Sequence, residues 1–269
     1  MFPERIVCLS AESADICAKL GAADRLVAVS AFAPKELRQL CRVVGGFSTL
    51  KRDQLLELAP DLVITYSDVQ AGISADLIRN HCTVLATNQH SLQAIGEAIL
   101  LIGRVIGCPE EAETLAGDFE RHLESVHCRD HPRPRVYFEE WDDPLISGIG
   151  WVSEAIELVG GKDIFARPDA RASGERQLES ATVCAGDPQI IFASWCGKPV
   201  NTDLIAGRDG WAKLSAVRTG EVHALNSDEI LQPGPRILSG IKQMRGVIDR
   251  WRKSQTGALT VDSKRSSAN

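Results

Sequence analysis

One local pattern occurs twice in this chain, and it decides the class of fold. Leu55-Leu56-Glu57-Leu58-Ala59-Pro60-Asp61-Leu62-Val63-Ile64-Thr65-Tyr66 is echoed by Thr182-Val183-Cys184-Ala185-Gly186-Asp187-Pro188-Gln189-Ile190-Ile191-Phe192-Ala193. In each copy a helical turn stops at a corner made of proline and a polar residue. A short apolar strand rises from the corner and opens into a loop rich in serine and aromatics. Proline ends the helix because it lacks an N–H and clashes with the preceding turn. A continuous apolar strand is one buried on both faces, as in a parallel sheet covered by helices. Two such units roughly 125 residues apart predict two similar α/β lobes, with a ligand cleft between them.

A length of 269 residues suits two lobes of about 100 residues each and a connector. The net charge of −6, with acids and bases interspersed, argues against a nucleic-acid surface or a polybasic membrane patch. The densest apolar run, Ile99-Leu100-Leu101-Ile102, ends at Gly103-Arg104, well short of the roughly 20 residues that span a bilayer. The N-terminus shows no basic, apolar and small-residue succession of a secretion signal. As written, the sequence therefore reads as cytoplasmic, or as periplasmic if its start has been shortened. The eight cysteines are scattered and none forms a CxxC. Cys8 in a strand and Cys17 in a helix are placed where a thiol acts as a small apolar group.

Along the chain, strands are predicted at 5–9, 25–29, 43–48, 62–65 and 83–86, with a helix ending near Leu20 at Gly21 and another over Asp53 to Leu58. Leu92, Ile95, Ile99, Ile102 and Ile106 then recur at helical spacing. Gly107-Cys108 breaks that helix, and Pro109 suits the first position of another, with Glu110 and Glu111 in its first turn. From Pro109 to His127 this second helix is long enough to run the length of a lobe. The expected fold is α/β, two Rossmann-like parallel-sheet lobes joined by a single long backbone helix. Its parts are an N-terminal lobe over 1–90, connecting helices over 91–131, a C-terminal lobe over 132–253 and a disordered tail over 254–269.

In open α/β sheets the ligand sits beyond the carboxyl ends of the strands. The loops at those ends hold Ser10, Phe47 and Tyr66 in the first lobe, and Glu140, Trp141, Trp195, Cys196, Ser227 and Gln232 in the second. Any one aromatic here packs under its own loop as readily as it meets a ligand. Trp141, Trp195 and Tyr66 together suit a large, flat, partly apolar ligand. The acids Glu139, Glu140, Asp142 and Asp143 have the chemistry for a metal or for acid–base work, and equally that of a solvated loop. His127, Cys128 and His131 are zinc-ligand types at an irregular spacing and too few for a closed site. Cys196 beside Lys198 is either an activated thiol or a cysteine lining a cleft. No nucleophile–base pair and no complete metal set is readable, so binding without catalysis, cofactor or metal is expected.

Three stretches resemble the helical-backbone, or class III, substrate-binding proteins of bacterial ABC importers: Arg5 to Ser10, Gly21 to Val29 and Leu58 to Ile64. Phe138 to Gly148, Ser194 to Lys198 and Ile230 to Arg236 resemble the branch identified as cobalamin-binding proteins. The resemblance covers about residues 4–252. It implies two lobes on one long helix and a shallow cleft with little hinge motion; separately, a monomer is expected. The implied ligand is cobalamin or another corrinoid, with haem or an iron–siderophore complex, or a cytosolic enzyme or sensor, as the alternatives. The implied partner is an ABC permease, met through one carboxylate on each lobe. Aligned on the two proline corners, Asp53 takes that place in the first lobe. In the second lobe Ala181 takes it, with Glu179 two residues away.

Overall fold

The computed structural model describes residues 2–170 and 172–266, apart from the side chains of 256–266. It divides into two compact units, Met1–His122 with Gln232–Arg236, and Leu123–Leu231 with Ile237–Asn269.

In the first unit the elements follow as β1 (Ile6–Cys8), α1 (Ala11–Lys19), β2 (Leu26–Ser30), α2 (Lys35–Leu40), β3 (Arg42–Gly45), α3 (Arg52–Leu56), β4 (Leu62–Tyr66), α4 (Ala71–Arg79), β5 (Val84–Thr87), α5 (Leu92–Ile106) and α6 (Pro109–Val126). The five strands form one parallel sheet in the order β3-β2-β1-β4-β5. β1 and β4 lie at its centre and are buried along their whole length. That is why both read as apolar runs without alternation. Val7, Leu9, Ala28, Val44, Leu55, Val63 and Leu77 make the core under one face. The strand order reverses at β1 and β4, and such a switch point is where open sheets present a crevice.

Two helices close this unit's sequence. Ser91 caps α5 by accepting the Ala94 N–H at 3.0 Å, and Gly107 ends it at φ 77°, a left-handed turn that glycine adopts without strain. Pro109 then opens α6, the expected backbone helix. Its 18 residues span about 27 Å at ~1.5 Å per residue. The division between the two units falls within it, after His122.

The second unit runs β6 (Arg135–Asp142), β7 (Leu145–Ser147), α7 (Gly150–Leu158), β8 (Lys162–Asp163), β9 (Gln177–Leu178), α8 (Ser180–Gly186), β10 (Ile190–Ala193), α9 (Thr202–Ala206), α10 (Ser215–Thr219), β11 (Val222–Ala224) and α11 (Ile237–Ser266). β11, β10, β6 and β8 are parallel. The sheet is nevertheless mixed. The last residues of β6 turn tightly at Asp143-Pro144 into β7, which pairs antiparallel with β6, and β9 pairs antiparallel with β7. A two-residue connection permits only an antiparallel partner. Of the tail expected from 254 onward, the backbone continues α11 to Ser266, and residues 267–269 lie outside those described.

The repeated corner is repeated in detail. α3 and α8 each begin eight residues before their proline, Pro60 and Pro188. The residue before each proline is left-handed, Ala59 at φ 43° and Asp187 at φ 40°. An arginine opening the neighbouring strand closes the helix end in both units. Arg5 donates to the Leu58 carbonyl at 2.9 and 2.6 Å, and Arg135 to the Asp187 carbonyl at 3.1 and 2.7 Å. The residue after the proline returns a bond: the Arg5 N–H donates to Asp61 Oδ1 at 3.0 Å, and the Arg135 N–H to Gln189 Oε1 at 3.0 Å. The carbonyls orphaned at a helix end are thus satisfied twice by the same device.

Candidate ligand-binding site

At the carboxyl edge of the first sheet, Gln70 ties three loops together. Its side chain is fully buried. Its Nε2 donates to the Leu9 carbonyl beyond β1 and to the Phe47 carbonyl beyond β3, both at 2.9 Å, while its Oε1 accepts the Tyr66 N–H at 2.9 Å. Ser10, one of the expected ligand residues, is buried here and donates its hydroxyl to Ser13 Oγ at 2.8 Å. Tyr66 is buried too and donates its hydroxyl to the Gln89 carbonyl at 3.0 Å. Phe47 alone of the three expected residues is open, 44% exposed. Ser67, next after β4, sits at φ 54°, a conformation a serine adopts only under strain.

Gln232 arrives on the segment Gln232–Arg236 that packs in this unit. Gln89 Nε2 holds the segment by donating to the Pro233 carbonyl at 3.1 Å. Gly234 lies so near α1 that a Cβ there would stand 2.7 Å from that of Glu12. Glu12 is buried beneath it with Oε1 unpartnered, and loss of water pushes its carboxyl up to about 7.

At the carboxyl edge of the second sheet, Glu139 is wholly buried on β6. It receives the Trp195 indole N–H at 3.1 Å, a fork from Arg208 with one limb at 2.9 Å, and the Tyr137 hydroxyl at 3.3 Å. Trp195 is therefore 3% exposed and part of the core with Tyr137, Ile191 and Trp211. Glu140 takes two bonds from Arg176 at 2.6 and 3.0 Å. Above them Lys198 pairs with Asp142 at 2.6 Å, and its ammonium lies 4.2 Å from the Trp141 ring centre and 4.9 Å from that of Trp195. Cys196 is exposed at this edge. Desolvation of its thiol, with the charges of Glu140 and Asp228, raises its pKa, which is the opposite of an activated nucleophile. Ser227 opens a 3-10 turn capped by Asn226, whose side chain accepts the Asp228 N–H at 3.0 Å.

Gln70, Gln89, Arg176 and Arg208 are structural members of these edges that the sequence reading passed over. Nothing local marks them, since each acts on a loop far away in the chain. Among the described residues no group of three or more His, Cys, Asp or Glu is placed to hold a metal ion.

Asp53, the expected docking carboxylate, lies in the first turn of α3, its side chain 86% exposed and 3.3 Å from Arg52. It borders an open groove of about 730 Å³ made by residues 50–54 with Gly72, Ile73 and Asp76. Glu179 is exposed at the N-cap of α8, and Ala181 occupies the second helical position there, as Asp53 does in α3.

The first unit thus carries a five-stranded parallel sheet and the second a mixed sheet built round parallel strands, and the division between them falls within α6. The family model described as periplasmic binding protein matches residues 6–229. The chain belongs to the periplasmic binding protein family. Among relatives, a vitamin B12-binding protein of Vibrio cholerae serotype O1 is 29% identical over 255 residues, covering 90% of this chain and 88% of its own. An uncharacterized ABC transporter substrate-binding lipoprotein of Bacillus subtilis, YvrC, is 24% identical over 258 residues, covering 90% and 79%. The crystal structure of the periplasmic vitamin B12 binding protein BtuF of Vibrio cholerae superposes with a TM-score of 0.77 at 27% identity, over 93% of this chain and 98% of that one. The periplasmic heme-binding protein BhuT, in complex with two hemes, gives 0.79 at 17% identity over 91% and 97%, a likeness of fold alone. These family members are described as periplasmic or as a lipoprotein, which lends no support to the cytoplasmic placement expected from the sequence. No helix among the described residues is long and apolar enough to cross a membrane.

Proposed function

We propose that this periplasmic binding protein binds a corrinoid and delivers it to an ABC-type importer, without catalysing a reaction. The observation that carries the reading is the vitamin B12-binding relative, which matches nine-tenths of the chain in sequence and whose fold the chain shares. The chemistry of the strand ends supports it. Each edge is pre-formed by buried hydrogen bonds, as a site for a rigid ligand should be. Phe47 in one unit and the Trp141–Lys198 pair in the other offer broad apolar and amphipathic contact. Ser227, Gln232 and Glu140 are polar groups suited to the amides that fringe a corrin ring. At Cys196, desolvation and the nearby carboxylates raise the thiol pKa, which favours binding over nucleophilic catalysis at that edge. Asp53 is the carboxylate we assign to permease docking, with Glu179 as its weaker counterpart on α8. By its relatives, the protein works outside the cytoplasm.

Titration with cyanocobalamin, followed by tryptophan fluorescence, tests the reading. Saturable quenching at micromolar ligand or below supports it. Permease ATPase stimulated by the parent and not by Asp53→Ala supports the docking assignment, because truncating one member of an interfacial charge pair commonly costs about 2–5 kcal/mol.

A further inference from the structure

At the carboxyl edge of the first sheet one buried side chain is given over to joining loops. Both N–H groups of the Gln70 amide are used, on the Leu9 carbonyl beyond β1 and on the Phe47 carbonyl beyond β3, and its Oε1 accepts the Tyr66 N–H. Beside it, Ser67 is held at φ 54° and ψ −177°, close to a region left almost wholly to glycine. The Ser67 N–H donates to the Thr87 carbonyl at 2.8 Å, and the Gln70 N–H donates to the Ser67 carbonyl at 3.3 Å. The Phe47 loop is as tightly drawn. The Gly46 N–H donates to the Thr49 carbonyl at 3.0 Å, and a Cβ on Gly45 would collide with that same oxygen. A fully satisfied buried amide rigidifies what it joins, and backbone strain persists only where surrounding bonds over-determine it. What they fix in place here is a pair of apolar side chains left open. Phe47 is 44% and Val69 48% exposed, the first at the carbonyl that Gln70 holds and the second adjoining Gln70.

We propose, on the corrinoid reading above, that Gln70 is a positioning residue for binding: by holding the loops beyond β1, β3 and β4 it presents Phe47 and Val69 to the ligand already in place. Gln70 is itself fully buried and acts only through those loops. A loop ordered before binding spares the complex the entropy of ordering it. Without the Gln70 amide, the Phe47 loop and the backbone at Tyr66 lose bonds that fix them, and the binding-competent arrangement becomes one of several. Affinity then falls largely through slower association, the mark of binding that requires a conformational change. The Phe47 contact weakens in the same step, because a ring that wanders meets a rigid ligand less often in the right place.

The test uses the full chain and cyanocobalamin, with affinity from equilibrium dialysis read at the corrin absorbance and association rate from stopped flow. The parent is compared with Gln70→Met, Phe47→Ala, the two combined, and Val63→Ala, a core truncation near the amino end of β4 that leaves the Gln70 bonds in place. Gln70→Met is expected to bind about tenfold weaker, mostly through the association rate. Phe47→Ala is expected to weaken the parent about fivefold and the Gln70→Met protein less than about twofold, the coupling of residues that act together. Val63→Ala is expected to lower the melting temperature and to leave affinity within about twofold of the parent. Parent-like binding by Gln70→Met overturns the proposal. So does a Phe47→Ala loss of equal size in both backgrounds, or a Val63→Ala loss as large as that of Gln70→Met. In those cases the corrinoid reading stands. The parent alone gives a check that needs no variant to fold. The Gly46, Tyr66 and Ser67 amides are expected to exchange in the free protein within about threefold of their rates in the complex. Large new protection at them on binding overturns the proposal, since the loops would then be ordered by the ligand. Failure of cyanocobalamin to bind the parent overturns the corrinoid reading and the proposal together.

Discussion

Glu12 shows how one residue sets a condition on the molecule. Burial holds its carboxyl up at about 7, from an ordinary 4.5, so the folded chain binds that proton more tightly than the unfolded chain. The stability attached to Glu12 is complete below the unfolded value and is lost as pH rises through about 7. A rise of this size corresponds to about 3 kcal/mol at ~1.4 kcal/mol per unit. Glu12→Gln is expected to raise the urea midpoint at about pH 8 and to flatten its dependence between about pH 5 and pH 8. An unchanged slope would place the titrating group elsewhere. Trp141 and Trp195 separate by burial. Trp195→Ala opens a core position and leaves Glu139 short of a donor, so a loss of about 3–5 kcal/mol of stability is expected. Trp141→Ala, on the half-buried ring, is expected to weaken cyanocobalamin binding about tenfold or more with a smaller change in melting temperature. Both tryptophans stood out in the sequence as rare aromatics at strand ends. The network beneath them did not, because Glu139 meets Trp195 and Arg208 from 56 and 69 residues away.

Among the elements, the proline corner was readable because its determinants are local: an apolar helix face, a proline and an apolar strand within about a dozen residues. Its duplication in three dimensions goes further than the sequence showed. Arg5 and Arg135 close the two corners in the same way, yet each lies distant in the chain from the helix it caps. Arg5→Met and Arg135→Met are each expected to cost about 1 kcal/mol, the net worth of a hydrogen bond at a partly solvated site. Urea denaturation checks this, and a null effect at both would show that the corners hold without their arginines. The short helices α2, α9 and α10 and the strands β7 and β9 escaped the reading, since two to six residues carry too little periodicity to declare themselves. β7 is also what makes the second sheet mixed, and only the tight turn at Asp143-Pro144 forecasts it.

For the molecule as a whole, two α/β units and a long helix in which their division falls are what the repeat and the Pro109 helix start lead one to expect, and the chain shares its fold with the vitamin B12 binding protein BtuF of Vibrio cholerae. The ligand is a matter of surface chemistry that the fold does not dictate, since heme-binding and vitamin B12-binding proteins superpose on this chain equally well. The direct measurement is therefore the visible spectrum of the protein after incubation with cyanocobalamin, and separately with haemin, followed by desalting. The expected result is a corrin spectrum travelling with the protein at close to one equivalent, and little haem. A protein that emerges colourless from cyanocobalamin, or that retains haem in its place, would contradict the account.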